Sequence, residues 1–539
     1  MPFLRSAARW TGRGVVIGGI AFTGLLSVPI ETLPSPLVPT RVGCEGLVRV
    51  GRCTATCIRM LYAYKIRLYG VEDQEEWDKV HVECAEMLCS LCENNGGGYV
   101  KMGQAIAAAN NVMPDAYCEE LLKLQDAVKP RNLAKMIRVV EDDLGKPIDE
   151  LFMFISENPI AAASIAQVHE AVIKGTNQKV AVKIQYYDAQ RRFKGDTTTI
   201  QWFLKASSLF APGLDYSDVM AQTEDIMQAE LDFSKEAANG DQCRMDLQQR
   251  FGDSVTTPEI VPSHCGPRVL TTEFIDNACK VNDQQGIKSL GFTPRQVAEL
   301  YVAAFSYQLF HCKTFHCDPH PGNVFVRKHP KDPKKLQLVV LDHGLYAAMS
   351  AQERLALAQC WSAAARKDDV ALQTACKKLG IDEYKLFATI LLAYPYDISQ
   401  FAAANKSDAE DSTSTGTTQQ SRASEKKMLQ THFESIMEEM NEMMNGISVS
   451  LNFALMQIDM VRSIVVDLGN PLPSRALTVL PYAMDCEGGD QESSNGTGKR
   501  HSWRYYMRYS TASVHLLWQE FLTRLFGFLF RQPQQVAAA

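Results

Sequence analysis

A chain of 539 residues with 46% hydrophobic composition can bury a core of ordinary size, and it has room for two domains or for a two-lobed enzyme with extensions. Its net charge of −7 argues against a dedicated nucleic-acid binder, because phosphate contacts need clustered Lys and Arg. Fifteen cysteines, an odd number scattered through helical-looking segments, argue against a disulfide framework and point to reduced thiols.

Residues 1–30 differ from the rest. Arg5, Arg9 and Arg13 recur at every fourth position, and the first acidic residue is Glu31. This pattern predicts a mitochondrial presequence, with a secretory signal and a plain tail as the competing readings. Residues 14–30 carry no charge and reach the lower limit for a membrane span, so the segment reads as presequence or anchor. Pro34, Pro36 and Pro39 open a linker, and residues 31–74 read as linker and N-terminal helices.

Residues 75–150 read as a helical extension. Cys84, Cys89 and Cys92 have the spacing of an iron–sulfur ligand run, but the helical period across 77–91 makes them small residues on a buried face. Gly96, Gly97 and Gly98 end one helix, and the next begins Tyr99-Val100-Lys101-Met102-Gly103-Gln104. Lys101 is either a snorkelling side chain or part of a dedicated polar site with Gly103 and Gln104.

The period changes in residues 151–277. Two strands flank a Gly175-Thr176-Asn177 turn, and the second, Val180-Ala181-Val182-Lys183, ends in a lysine that is either an edge residue or a partner for nucleotide phosphates. The loop before them, Ala161-Ala162-Ala163-Ser164-Ile165-Ala166, stands where a nucleotide fold usually has glycines; alanine still permits close backbone approach, less freely. Residues 221–248 have a polar helical pattern in which Asp232 and Glu236 share a face while Glu230 points elsewhere. An ion-pairing Glu for the strand lysine is expected here, and Glu236 is the candidate. The strand 268–275 leads through Glu273 and Phe274 toward a hinge able to meet a purine base through its backbone.

Residues 278–400 carry the densest chemistry. A helix over 293–315 with Pro294 in its first turn runs into His316-Cys317-Asp318-Pro319-His320-Pro321-Gly322-Asn323. An Asp and an Asn five positions apart on a stiff loop suit phosphate chemistry, in which Asp318 orients or deprotonates a hydroxyl or water and Asn323 ligates Mg²⁺. His316 and His320 read as scaffolding of the loop. Two short strands then deliver Asp342-His343-Gly344, a second metal-binding carboxylate. Residues 401–428 have almost nothing to bury and read as a disordered insertion. Residues 429–539 read as a helical C-terminal extension, with a methionine stripe at Met437, Met440, Met443 and Met444. Residues 503–531 either lie on a membrane or pack on the helical lobe.

Taken in order, Lys101-Met102-Gly103-Gln104, the alanine-rich loop, Val180 to Lys183, Glu230-Leu231-Asp232, Asp318 with Asn323, and Asp342-His343-Gly344 resemble the UbiB family, also called aarF-domain-containing kinases. The likeness covers roughly residues 75–395 and is most similar to the mitochondrial first subgroup, in which Asp-His-Gly is the metal motif. It implies an α+β, two-lobed protein-kinase-like fold with a small β-sheet lobe and a helical lobe. An N-terminal helical extension would lie over the active site, and a helical extension would follow at the C-terminus.

Residue by residue, the resemblance implies that Lys183 contacts nucleotide phosphates and pairs with Glu236, and that Asp318 is the catalytic-loop Asp. Asn323 and Asp342 would hold Mg²⁺. The loop 161–166 would cover the phosphates, and Lys101, Gly103, Gln104, Glu230 and Asp232 would form a regulatory lid. ATP and Mg²⁺ are the implied cofactors, a lipid or quinone-like molecule and a membrane the implied partners, and mitochondria, at the inner membrane, the implied location. Departures from ordinary kinases are Cys317 before the catalytic Asp, His343 after the metal Asp, and no Ala-Pro-Glu element beyond it. They weigh against phosphorylation of protein rather than against nucleotide binding. The open readings are an ATPase or a small-molecule or lipid kinase, a nucleotide-gated lipid-binding protein with little turnover, and a Ser/Thr protein kinase.

Overall fold

The computed structural model describes residues 38–71, 73–108, 115–125, 130–208, 231–392, 396, 443, 446–469, 472–488 and 509. Glu230, residues 14–30, the insertion 401–428, most of the methionine stripe and nearly all of 489–539 lie outside them. The chain divides into two units, one of Met1–Asn132, Pro159–Gln167 and Gln185–Ser217, the other of Leu133–Asn158, Val168–Ile184 and Asp218–Ala539.

The first unit is mainly helical: α1 (Val38–Tyr62) with a π-turn (Ala63–Arg67), α2 (Gln74–Asn95), α3 (Gly98–Ala108), α4 (Asp115–Leu122) and, later in the chain, α7 (Ala189–Ser208). Asp73 caps α2 by accepting from the Glu75 amide, and α2 ends at Gly96 with φ +65°. Cys84, Cys89 and Cys92 are buried on the inner face of α2 as free thiols, each held above its ordinary pKa by burial. Gly103 is where α3 crosses most closely: a Cβ there would stand 2.4 Å from Leu124 Cδ1 and 3.1 Å from Cys92 Sγ. The short strand β2 (Ala161–Ala162) and the start of β3 (Ala166–Ile173) belong to this unit.

The second unit opens with α5 (Leu133–Leu144) and α6 (Ile148–Leu151) and builds a sheet in the order β1 (Phe152–Ile155), β3 (Ala166–Ile173), β4 (Lys179–Gln185), β6 (Val269–Glu273). Along β4, Val180, Val182 and Ile184 are fully buried, so Lys179, Ala181 and Lys183 take the other face. Of the polar helix expected over 221–248, residues 221–230 lie outside the described residues, and the described part is α8 (Phe233–Phe251). Asp232 is its N-cap, accepting from the Ser234 amide, and so lies outside the helix rather than on one face with Glu236.

A second sheet orders β5 (Val255–Thr256), β10 (Asp332–Val340), β9 (Val324–His329) and β7 (Ala278–Lys280). A two-stranded ribbon pairs β8 (Thr314–His316) with β11 (Tyr346–Ala348). Between these run α9 (Gln284–Ser289) and α10 (Pro294–His311), the latter opened by a Thr293/Gln296 capping box with Pro294 in its first turn. The helix expected to reach residue 315 stops at His311, because residues 314–316 are recruited into the ribbon. The core gathers around Tyr301, Phe305, Phe310 and Trp361 from α10 and α11 (Ala351–Arg366). α12 (Asp369–Lys378), α13 (Tyr384–Leu392), α14 (Val449–Asp467) and α15 (Leu472–Gly488) pack around it. Among the described residues α14 is the one helix long and apolar enough to cross a membrane, yet Leu451, Ala454, Gln457 and Val465 are buried in this core.

Candidate active site

In the second unit, Lys183 on β4 reaches a carboxylate on each side. Its Nζ stands 2.6 Å from Glu236 Oε1 on α8 and 3.4 Å from Asp342 Oδ2 beyond β10. Burial opposes the ammonium charge, but Asp342 and then Glu236 outweigh it and hold the pKa above the usual lysine value. The Phe233 ring lies 5.1 Å from the same nitrogen. Glu236 is buried, whereas the Asp342 side chain is 41% exposed. One carboxylate is enclosed with the lysine, and the other keeps surface that a further cation can reach.

The loop 316–323 is fixed by its own backbone. His316 Nδ1 accepts from the Asp318 amide at 3.0 Å, so its Nε2–H donates to the Asp342 carbonyl at 2.6 Å. That tautomer is neutral, and burial lowers the ring's pKa. One imidazole therefore ties the backbone of Asp318 to that of Asp342. Asn323 Nδ2 donates to the Asp318 carbonyl at 3.0 Å, and the Asn323 carbonyl accepts from the Leu341 amide. Tyr301 on α10 donates its hydroxyl to Pro319 O at 2.6 Å. His320 Nδ1 accepts from the Gly322 amide, which turns its Nε2 toward the Asp318 carboxylate at 3.8 Å.

The Asp342-His343-Gly344 loop is docked against α8. His343 donates from Nε2 to Val340 O and accepts at Nδ1 from the Tyr346 hydroxyl; burial, with nearby His316, lowers its pKa to about 3. Asn239 donates to the His343 carbonyl at 3.0 Å, and a Cβ at Gly240 would stand 3.0 Å from the His343 ring. These contacts set the helix carrying Glu236 against the loop carrying Asp342.

Elsewhere in the second unit, Glu273 ends β6 with its carboxylate taken by Arg327 at 3.1 Å, and Phe274 lies under Lys179 Nζ at 3.9 Å. In the first unit, Ala163 N bonds to Ala166 O and Tyr186 N to Ile165 O, which folds the alanine loop back on itself. Ser164 and Ile165 of that loop line a small cleft with Gly97 and Gly98 at the start of α3, and with Arg131 and Tyr186. Gln104 Nε2 donates to Leu124 O at 3.1 Å. Lys101 and Gln104 thus lie in the first unit and Asp232 in the second, while Glu230 lies outside the described residues.

Asn323 and Asp342 fit a hard cation through their side-chain oxygens. The Asn323 amide nitrogen is used by Asp318, leaving its oxygen as the donor atom, and Asp342 keeps carboxylate surface exposed. Two oxygen donors do not complete a protein cage. Among the described residues no cluster of three His, Cys, Asp or Glu side chains does so either. Mg²⁺ suits such a site, because it is commonly bound by one or two side chains plus water and substrate phosphate.

Residues 123–376 match the model of the ABC1 atypical kinase-like domain. The chain is 30% identical over 432 residues to AarF domain-containing protein kinase 1 of Mus musculus, covering 79% of this chain and 78% of the mouse protein. It belongs to the ABC1, or UbiB/aarF, family of atypical kinase-like proteins. A probable serine/threonine-protein kinase, abkD, of Dictyostelium discoideum is 32% identical over 456 residues. That match covers 84% of this chain but 63% of the relative, so this chain spans just under two thirds of it. Among solved structures, an Rv3197–erythromycin complex from Mycobacterium tuberculosis is similar at 27% identity, with a TM-score of 0.38, covering 57% of this chain and 76% of that one.

For an ABC1 protein the α+β kinase-like fold follows, with β4, α8 and the two loops arranged as described. The motifs point to Lys183, Glu236, Asp318, Asn323 and Asp342 individually. What they do not show is the bracing set: the backbone bridge by His316 and the Asn239 and Gly240 contacts with His343. Helical spacing puts Glu236, Asn239 and Gly240 on one face of α8, and that is the one sequence signal for the docking of α8 on the loop.

Proposed function

We propose that this ABC1 protein is an Mg-ATP-dependent enzyme, an ATPase or a small-molecule or lipid kinase, acting in lipid or quinone homeostasis at the mitochondrial inner membrane. The observation that carries the nucleotide part is Lys183 held between a buried Glu236 and a half-open Asp342. Phosphoryl transfer needs charge neutralisation and positioning more than covalent chemistry, and this cluster supplies fixed positive charge beside a part-exposed carboxylate. Lys183 would meet phosphate oxygens while Glu236 holds its ammonium in place. Mg²⁺, when held by Asn323 and Asp342, would neutralise phosphate charge. Asp318, with its backbone clamped from both sides by His316 and Asn323, would orient or deprotonate the attacking hydroxyl or water. The loop 161–166 would cover the phosphates and Glu273 with Phe274 would face the base. Lys101, Gly103, Gln104, Glu230 and Asp232 would act as the lid.

The absence of an Ala-Pro-Glu element after Asp342 favours a non-peptide acceptor. The basic, acid-free segment before Glu31 favours mitochondrial import, and the uncharged residues 14–30 favour membrane association. The test is phosphate release from Mg-ATP by the full chain, with and without anionic vesicles. Asp342→Asn is expected to lower turnover by a factor on the order of a hundred or more. Turnover at the wild-type rate in that variant overturns the site. Nucleotide-dependent thermal stabilisation without turnover supports a nucleotide-gated lipid-binding protein instead, and labelled phosphate on an added protein supports a protein kinase.

A further inference from the structure

The first unit presents a row of apolar side chains that its own packing does not use. Helix α1 and the π-turn form one rod, and one face of it buries Arg49, Cys53, Cys57 and Ala63. The other face leaves Leu47, Ile58, Tyr62 and Ile66, and Tyr69 just beyond, in solvent, from 61% exposed at Ile58 and Tyr62 to 87% at Tyr69. The spacings 47–58, 58–62, 62–66 and 66–69 are whole helical turns, so these side chains form a line, which isolated exposed apolar residues do not.

The exposed charges that α1 and the π-turn themselves carry are all basic. Arg52, Arg59, Lys65 and Arg67 are exposed, and Glu45 is the only acidic residue between 38 and 71. Glu45 is turned inward, held by Arg41 and Arg192. Of the four exposed cations, Arg67 is paired, with Glu83 at 2.6 Å.

We propose that this face is a docking surface for an anionic lipid bilayer, with the α1 rod lying in the plane of the interface. Charge complementarity selects this occupant: a basic flank along an apolar line matches anionic headgroups above acyl chains. Tyr62 and Tyr69 strengthen the choice, since an apolar ring with a polar tip suits the boundary between the two. The row spans roughly 33 Å at the helical rise, a flat contact rather than a crossing. The uncharged residues 14–30 lie a few positions upstream in sequence, so membrane contact there brings α1 to the same surface. The proposal deepens the membrane association proposed above and rests on that reading; it involves no residue of the nucleotide site.

The experiment is flotation of the full chain with vesicles of phosphatidylcholine alone, or with about a third phosphatidylglycerol. Wild type is expected to float with the anionic vesicles and to leave them as salt rises. Ile58→Glu with Ile66→Glu should lower the bound fraction roughly tenfold or more, and Arg59→Glu with Lys65→Glu should remove the anionic preference. Both pairs are exposed, so an unchanged thermal midpoint and unchanged lipid-free phosphate release show that the fold is intact. If the apolar variant floats like wild type, the face is not the docking surface, while membrane association through another segment stands. Wild type that binds neither vesicle overturns both readings. A variant that turns a dimer into a monomer with vesicle binding unchanged makes the face an interface between copies and overturns the proposal.

Discussion

Arg49 with Asp196 and Lys183 with Glu236 are both buried ion pairs, one in each unit, and they are completed differently. Asp196 on α7 takes Arg49 on both carboxylate oxygens and also accepts the Gly98 amide at 3.2 Å, at the start of α3. Arg49 donates again to Asn95 O, and Asn95 donates back to Arg49 O. Cβ atoms at Gly97 and Gly98 would each stand 3.0 Å from Asp196, so the glycines let the backbone close on the carboxylate. Both Asp196 oxygens are thereby engaged. Lys183 has Glu236 in the same way, but its second carboxylate is partly in solvent. The Arg49–Asp196 pair is closed to solvent on both sides, whereas the Lys183 cluster keeps one carboxylate that a ligand could reach. Burial raises the Asp196 pKa despite Arg49, so desolvation offsets part of what the pair contributes.

The largest expected effect tests the open cluster. Lys183→Met leaves Glu236 buried without its cation and should cost roughly 3–5 kcal/mol of stability as well as nucleotide turnover. Asp342→Asn should cost under about 1 kcal/mol, because that carboxylate is partly in water, while turnover is lost. Thermal unfolding and phosphate release, measured on both variants, check this; equal stability losses would erase the distinction between enclosed and part-exposed carboxylates.

Next in size is the saturated cluster. Asp196→Ala strands Arg49 and should cost about 3 kcal/mol. Arg49→Met combined with Asp196→Leu should recover much of that loss, since it removes both desolvated charges. A double variant no more stable than Asp196→Ala would show that the pair is itself the source of stability. A smaller effect is expected at the docking of α8. Gly240→Ala pushes a methyl against the His343 ring and should cost roughly 1–3 kcal/mol. Its turnover should fall by a larger factor than that of a distant substitution matched in stability, because Glu236 and Asp342 are set by that contact.

Whether a residue is legible in the sequence depends on whether its partner is local. Lys183, Asp318, Asn323 and Asp342 stand in short runs that carry the family resemblance, and the α+β kinase-like fold follows from that resemblance. The start of α8 is not legible in this way, because Asp232 is compatible with both helix interior and N-cap, and only the Ser234 amide decides which. The early end of α10 is hidden because Thr314 to His316 continue its apolar pattern while pairing with Tyr346 to Ala348, some thirty residues away. His316 reads as scaffolding from the sequence, but its span from Asp318 to Asp342 is a long-range fact. The Arg49–Asp196 cluster, with partners far apart in sequence, leaves no local signal at all.

The smallest effect concerns acid. His169 on β3 is buried, its Nδ1 lies 2.7 Å from Ser156 O, and burial lowers its pKa despite that carbonyl. As pH falls through the ordinary value of 6.5, the unfolded chain takes up a proton here that the folded ring refuses. The stability from this residue is therefore full above that pH and lost progressively below it. His169→Asn keeps a donor near the Ser156 carbonyl and removes the titration. The wild-type thermal midpoint should fall between about pH 7.5 and about pH 5.5, and the variant's fall should be shallower. Parallel profiles would assign the acid sensitivity of this sheet to other groups. His169 stands outside the Lys183 cluster, so the same substitution should leave phosphate release near neutral pH unchanged.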